Sequence, residues 1–159
     1  MFQYRDVRHE DFKIIATFPQ NQEDLFYMFP KGIYPITPEQ LEEVALIRFS
    51  PTVILYQDQV VGYCNFYKAD EGKDCWLGNV IVNPEYRKIG IGTYLIQIMK
   101  NKAINHYKAQ ELKLVCHNTN TMALLFYYKQ GFKPFDMNLV EDYKGDQIIR
   151  IIMTIKLCE

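Results

Sequence analysis

The stretch Val80-Ile81-Val82-Asn83-Pro84-Glu85-Tyr86-Arg87-Lys88-Ile89-Gly90-Ile91-Gly92-Thr93 decides how this chain is read. Its first residues are apolar and β-branched, which marks a strand, and Pro84 ends it. Two glycines then precede a long run from Ile91 to about Tyr107. Apolar residues at 91, 94, 95, 98 and 99 give that run helical spacing. The first amides of a helix lack internal acceptors and carry the positive end of its dipole. Glycines let such a backbone approach an anion closely, and Arg87 and Lys88 add charge. The segment therefore reads as a cradle for a pyrophosphate. The other reading is a glycine turn with no ligand. A dinucleotide fingerprint needs a third glycine where Leu95 stands, and no phosphate loop ending in G-K-S/T is present.

Working outward, Cys75–Val82 is the third strand of an antiparallel meander. Thr52–Tyr56 and Val60–Ala69 precede it, with turns at Gln57-Asp58-Gln59 and Asp70-Glu71-Gly72-Lys73. Further upstream, residues 2–7 alternate as a short strand, Glu10–Phe18 and Gln22–Met28 read as helices, and Thr37-Pro38-Glu39-Gln40 is a helix start. That helix should run to about Arg48. Downstream come a strand at Leu112–Cys116, a helix at Asn120–Gln130 closed by Gly131, and two strands, Phe132–Glu141 and Ile148–Lys156, around the turn DYKGD.

The chain has 159 residues and a net charge of -1, from 18 basic and 19 acidic side chains. One domain over residues 1–159 is expected. The charge balance speaks against a nucleic-acid binder that works by general basicity. No apolar run approaches the roughly 18 residues of a membrane span, and the N-terminus lacks the plan of a signal peptide. A cytoplasmic protein is expected. Cys64, Cys75, Cys116 and Cys158 form no C-x-x-C pair, and His9, His106 and His117 are equally scattered, so neither a disulfide framework nor a metal site is expected.

Arg87-x-x-Gly90-x-Gly92 after a strand resembles motif A of the GCN5-related N-acetyltransferases (GNAT), whose pattern is Q/R-x-x-G-x-G/A. Asn120-Thr121-Met122-Ala123-Leu124-Leu125-Phe126-Tyr127-Tyr128-Lys129-Gln130-Gly131-Phe132 resembles the family's second signature, N-x-x-A-x-x-x-Y-x-x-x-G-F. The element order from Phe2 to Lys156 is similar as well. The resemblance implies an α+β fold with a central mixed, mostly antiparallel seven-stranded sheet and helices on both faces. Its order is β-α-α-β-β-β-α-β-α-β-β.

The resemblance also implies acetyl-CoA as the acetyl donor and no metal. The diphosphate would rest on Arg87, Lys88, Ile89, Gly90, Ile91, Gly92 and Thr93. The pantetheine arm would pair with Val80, Ile81 and Val82 where the fourth and fifth strands part, and an amide of the fourth strand would polarise the thioester carbonyl. Asn120 and Ala123 would contact the arm; Asn120 also reads as a helix cap. Tyr127 would protonate the departing sulfur, or else be a core aromatic. The partners implied are acetyl-CoA and an amine, either a small molecule or a protein N-terminus, with no nucleic acid and no membrane. The closing strands could pair across a homodimer. The alternative is a non-catalytic acetyl-CoA-binding sensor or structural module.

One departure matters. Many family members carry a glutamate base on the fourth strand, whereas Asn79 stands there here. Glu85, Glu111, His117 or ordered water are the other candidates; His117, flanked by polar residues, also reads as a surface hydrogen-bonder. Freeing a lysine-like amine at pH 7 costs about 4.6 kcal/mol, an α-amine about 1 kcal/mol. A site without a strong base suits the weaker amine. Asn65 and Asn79 should lie roughly opposite each other, either bonded together or lining an acceptor pocket. Phe26, Met28, Phe29 and Tyr34 either wall that pocket or belong to the core.

Overall fold

The computed structural model describes residues 1–157. Seven strands form one sheet: β1 (Phe2–Asp6), β2 (Phe49–Tyr56), β3 (Gln59–Asp70), β4 (Asp74–Val82), β5 (Glu111–His117), β6 (Lys133–Glu141) and β7 (Gln147–Lys156). Their spatial order is β1-β2-β3-β4-β5-β7-β6. Every neighbouring pair is antiparallel except β4–β5. The helices are α1 (Phe12–Ile15), α2 (Gln22–Met28), α3 (Pro38–Ala45), α4 (Ile91–Tyr107) and α5 (Thr121–Lys129). The α+β class and its order hold in broad terms, with the first helical region divided into three pieces.

Local chemistry explains most of the boundaries. Gln57 and Asp58 both take positive φ, 51° and 66°, which makes the tight hairpin turn between β2 and β3. Thr37 Oγ1 accepts the Gln40 amide at 3.2 Å and so caps α3. The Gln40 side chain does not complete a capping box. It clamps the backbone of Ile33 through both its amide atoms, at 2.9 and 3.1 Å. The expected extension of α3 to Arg48 is not found. Leu46 and Ile47 are 81% and 74% exposed, so no buried face carries the helix past Ala45. Gly131 follows α5 at φ 103°, the left-handed position.

The sheet separates two cores. On one face α4 lays Ile91, Leu95, Ile96, Met99 and Ala103 against Ile54, Cys64, Phe66, Leu77, Leu112 and Leu114, and α5 adds Tyr127. At about 1.5–3 kcal/mol per fully buried large aliphatic side chain, this helix face is a main source of stability. On the other face α1, α2 and α3 pack Phe12, Ile15, Leu25, Met28 and Leu41 against Val53, Val60, Tyr63 and Ile81. Cys64, Cys75 and Cys116 are buried free thiols; Cys158 lies outside the described residues. No described helix is long and apolar enough to cross a membrane.

Candidate active site

β4 is bonded to β3 along its length but to β5 over only three pairs: Asp74↔Glu111, Cys75↔Leu112 and Trp76↔Lys113. Beyond Trp76 the two strands share no ladder, although β5 continues paired to β7 as far as His117↔Arg150. The sheet therefore holds a split between the ends of β4 and β5, edged by backbone N–H and C=O groups with no strand opposite. These include Val80, Ile81 and Val82.

A bulge sits beside the split. Asn65 pairs with Gly78 and Tyr63 with Ile81, so Asn79 and Val80 together face Cys64. Asn79 is left-handed at φ 51°. Such a bulge bends its strand and re-aims its amides. Asn65 and Asn79 bind each other, Nδ2 to Oδ1 at 2.9 Å. Asn65 also donates to the Tyr63 hydroxyl at 3.0 Å and accepts from Arg48 Nη1 at 3.3 Å. Asn79 Nδ2 donates to the Met28 carbonyl at 2.9 Å. These amides tie β4 to β3 and to the end of α2. The expected pairing is present, offset by the bulge.

At the end of β4, Asn83 Oδ1 accepts the Glu85 amide at 3.0 Å and starts the 3-10 turn Pro84–Tyr86. Arg87, Lys88, Ile89 and Gly90 are exposed. Gly90 takes φ 99°, which favours glycine. The Tyr94 amide donates to Gly90 O at 3.0 Å; ahead of it, the amides from Arg87 to Thr93 have no acceptor among the described residues. This row of free donors around a left-handed turn fits an anionic diphosphate. Gly92 answers a different need. A Cβ there would stand 3.0 Å from Phe126 Cζ, so its absence lets α5 approach α4.

Tyr127 lies on the α4 face of the split. It is buried among Phe126 and Phe132, with ring centroids 5.4 and 5.8 Å away. Its hydroxyl has no hydrogen-bond partner among the described residues. Burial, with the thiols of Cys116 on β5 and Cys64 opposite the bulge, pushes its pKa well above the usual tyrosine range. The group keeps its proton at any physiological pH. The same burial pushes the Cys116 thiol up to about 12, so sulfur and phenol shift together in this environment. Asn120 occupies the cap position of α5, but its side chain makes no capping bond. The cap reading is thus corrected to position only: at φ -90° and ψ 66° the side chain does not reach the amides of the first turn. Ala123 packs at the rim of the same core.

On the other face, the end of β5 meets α2. His117 is 5% exposed, against the expectation of a surface residue; its ring packs at a tilt against Phe26, with centroids 4.6 Å apart. Phe26 and Tyr27 line an open cleft of about 300 Å³ with Glu23, Thr119, Tyr143 and Asp146. Tyr27 donates its hydroxyl proton to Thr119 Oγ1 at 2.8 Å. Of the four candidate wall residues, Phe26 reaches this cleft. Met28 and Phe29 belong to the core, and Tyr34 is 42% exposed. Glu111 stands at the closed end of the split, 3.8 Å from Lys113, and Glu85 is exposed in its turn. Among the described residues, no three His, Cys, Asp or Glu side chains group as a metal site. Sequence reasoning missed Arg48 and Tyr63 as partners of the buried amides, because no local pattern announces contacts made across the sheet.

The split sheet and the donor-lined turn at its mouth together form one candidate site for an extended anionic ligand. The chain belongs to the acetyltransferase (GNAT) family, whose model matches residues 13–132. It is 36% identical over 75 residues to the uncharacterised protein YdhI of Bacillus subtilis, a match covering 47% of this chain and 44% of that protein. The matched stretch is thus less than half of either. The spermidine N-acetyltransferase of Vibrio cholerae, solved with CoA and spermine, superposes with a TM-score of 0.81 at 18% identity, over 98% of this chain and 95% of that one. The ribosomal-protein-S18-alanine N-acetyltransferase of Escherichia coli gives 0.78 at 15% identity, over 100% and 96%. At these identities the likeness is one of fold.

Proposed function

We propose that residues 1–159 work as a single N-acetyltransferase domain that moves the acetyl group of acetyl-CoA to a primary amine by direct attack. The observation that carries this is the split after Trp76↔Lys113, with the free amides of Arg87–Thr93 at its mouth. In this reading the diphosphate rests on those seven residues. The pantetheine arm lies along Val80, Ile81 and Val82 and meets Asn120 and Ala123. The bulge at Asn79 aims a β4 amide at the thioester carbonyl, where oxyanion charge develops. The neutral amine nitrogen bonds to the carbonyl carbon, the carbon–sulfur bond breaks, the sulfur takes the proton of Tyr127, and the proton lost by the nitrogen restores the phenol.

The acceptor we favour is a weakly basic primary amine, such as a protein N-terminus or a small α-amine. Two observations support this. The one carboxylate on β4, Asp74, stands at the closed end and is paired with Lys113 at 3.1 Å, and beside the split β4 brings Asn79, which is bound to Asn65 and Met28. An amide takes no proton, so the site favours an amine that gives one up easily.

The test is thiol release from acetyl-CoA with a panel of an alanine-initiated tripeptide, spermidine, glucosamine and phenethylamine, beside calorimetry with CoA. Amine-dependent release that collapses in Tyr127→Phe supports the reading. Tight CoA binding with no release under any amine points to a binding module. No heat with CoA at millimolar concentration overturns the cradle itself.

A further inference from the structure

The two arms of the split face the acceptor side differently. β4 brings Asn79, whose amide is bound within the protein. β5 ends on His117, beyond its last pairing with β4 at Lys113. The imidazole is almost wholly buried and packs against Phe26 at 4.6 Å and Tyr27 at 6.3 Å, both of which line the open cleft. Among the described residues its ring nitrogens have no hydrogen-bond partner. Neither nitrogen is among the fully enclosed, unpartnered polar atoms of the described residues, so the ring keeps an opening through which a transient partner can reach it. Phe26 and Tyr27, on which the imidazole packs, form part of the cleft wall, so His117 stands behind that wall on the stretch of β5 left unpaired with β4.

We propose that His117 is the proton acceptor for the attacking amine. This rests on the acetyl-transfer reading above. The acceptor's ammonium gives one proton to an imidazole nitrogen, which frees the amine lone pair. The amine nitrogen then bonds to the carbonyl carbon and the carbon–sulfur bond breaks. The sulfur takes the Tyr127 proton, and the second proton lost by the nitrogen returns to Tyr127. The proton on His117 leaves to solvent. The sum is ammonium plus thioester giving amide, thiol and one proton.

The surroundings keep the imidazole ready for this task. Burial and the guanidinium of Arg150, its register partner on β7, both hold its pKa below the usual histidine value. The ring is therefore neutral at pH 7. Tyr27 on α2 and Cys116 on β5 are its other titratable neighbours, and both are neutral there. Tyr143 lies beyond Phe26, with ring centroids 6.0 Å apart, and Glu23, Asp142 and Asp146 line the same cleft.

The experiment is the pH profile of kcat/KM with the fastest amine of the panel, for wild type, His117→Gln, His117→Asn and Arg150→Gln. The wild type should rise through one ionisation below pH 6.5 and then level off. Either His117 variant should lose that plateau and climb up to the amine's own pKa, at least 100-fold slower at pH 7, with unchanged acetyl-CoA affinity. Arg150→Gln should move the wild-type rise to higher pH. It keeps the test open should both His117 variants fail to fold. A wild-type profile that climbs to the amine's pKa, or a His117 variant with the wild-type profile, overturns the proposal. In that second case, a collapse confined to Tyr127→Phe leaves the transfer reading standing. No release by wild type with any amine removes both.

Discussion

β4 has one closed edge and one open edge. Toward β3 it is bonded from Asp70↔Asp74 to Gly62↔Val82; toward β5 it is bonded over three pairs and then released. The closed edge is strengthened beyond its ladder by the Arg48–Asn65–Asn79–Met28 chain of side-chain bonds. That chain pulls the bulged segment toward β3 and α2, away from β5, so the elaborate pairing on one side helps keep the other side unpaired. Unpaired backbone groups in a protein interior need a partner. In the proposed reading that partner is the extended pantetheine arm of acetyl-CoA. Changes on the closed edge should thus cost stability, and changes on the open edge should cost binding or turnover while the fold persists.

The sharpest break on the open edge is Tyr127→Phe. The hydroxyl has no hydrogen-bond partner among the described residues, so its removal should leave the melting temperature close to that of wild type. Loss of a positioned proton donor should lower kcat by about 10²–10⁴-fold. Stopped-assay thiol release beside a thermal melt separates the two. A variant that melts early and turns over normally would reverse the assignment of this residue to the open edge.

On the closed edge the matching change is Asn65→Leu. It leaves the Tyr63 hydroxyl without its 3.0 Å donor and Asn79 Oδ1 without its 2.9 Å donor, both buried. Stranded buried groups cost about 1–3 kcal/mol. Urea unfolding should show that loss, while the remaining bond from Asn79 to the Met28 carbonyl holds the bulge and acetyl-CoA affinity of the folded protein stays near wild type. A smaller effect on the open edge is expected from Gly90→Val. A left-handed β-branched residue is disfavoured by about 1–2 kcal/mol, and the turn would relax by swinging its amides. CoA affinity by calorimetry should fall about tenfold, with a lesser change in stability.

The two edges also differ in how far the sequence reveals them. The glycine turn, the α5 signature and the caps at Thr37 and Gly131 are local patterns, in which each residue type is required by the geometry of its immediate neighbours. These were legible. The split itself is not local. It depends on the bulge at Asn79, whose left-handed backbone is fixed by Asn65 from β3 and Met28 from α2. His117 illustrates the same limit. Its polar neighbours in sequence suggest a surface position, and only the packing of α2, far away along the chain, covers it with Phe26. The end of α3 falls short of the expected Arg48 because Leu46 and Ile47, apolar in sequence, find no core to pack against and are exposed.

The mildest expected effect lies farthest from the split. Arg5 on β1 grips Asp11 at 2.7 and 3.0 Å, and Asp11 also accepts the Arg8 amide at 2.7 Å. Burial pushes the Asp11 carboxyl up, but the Arg5 and Arg8 hydrogen bonds outweigh it and hold the pKa below the usual carboxylate value. A folded pKa below the unfolded one means the stabilisation is complete above the unfolded value of about 3.9. It is then lost as pH falls through the folded value. Arg5 keeps partial solvent access, so the contribution should be on the order of 1 kcal/mol. Urea midpoints taken between pH 7 and pH 3 should converge for wild type and Asp11→Asn as the medium becomes acid. Over the upper part of that range, kcat relative to wild type should not change. A change in kcat there would mean that the closed side of the sheet reaches the chemistry after all.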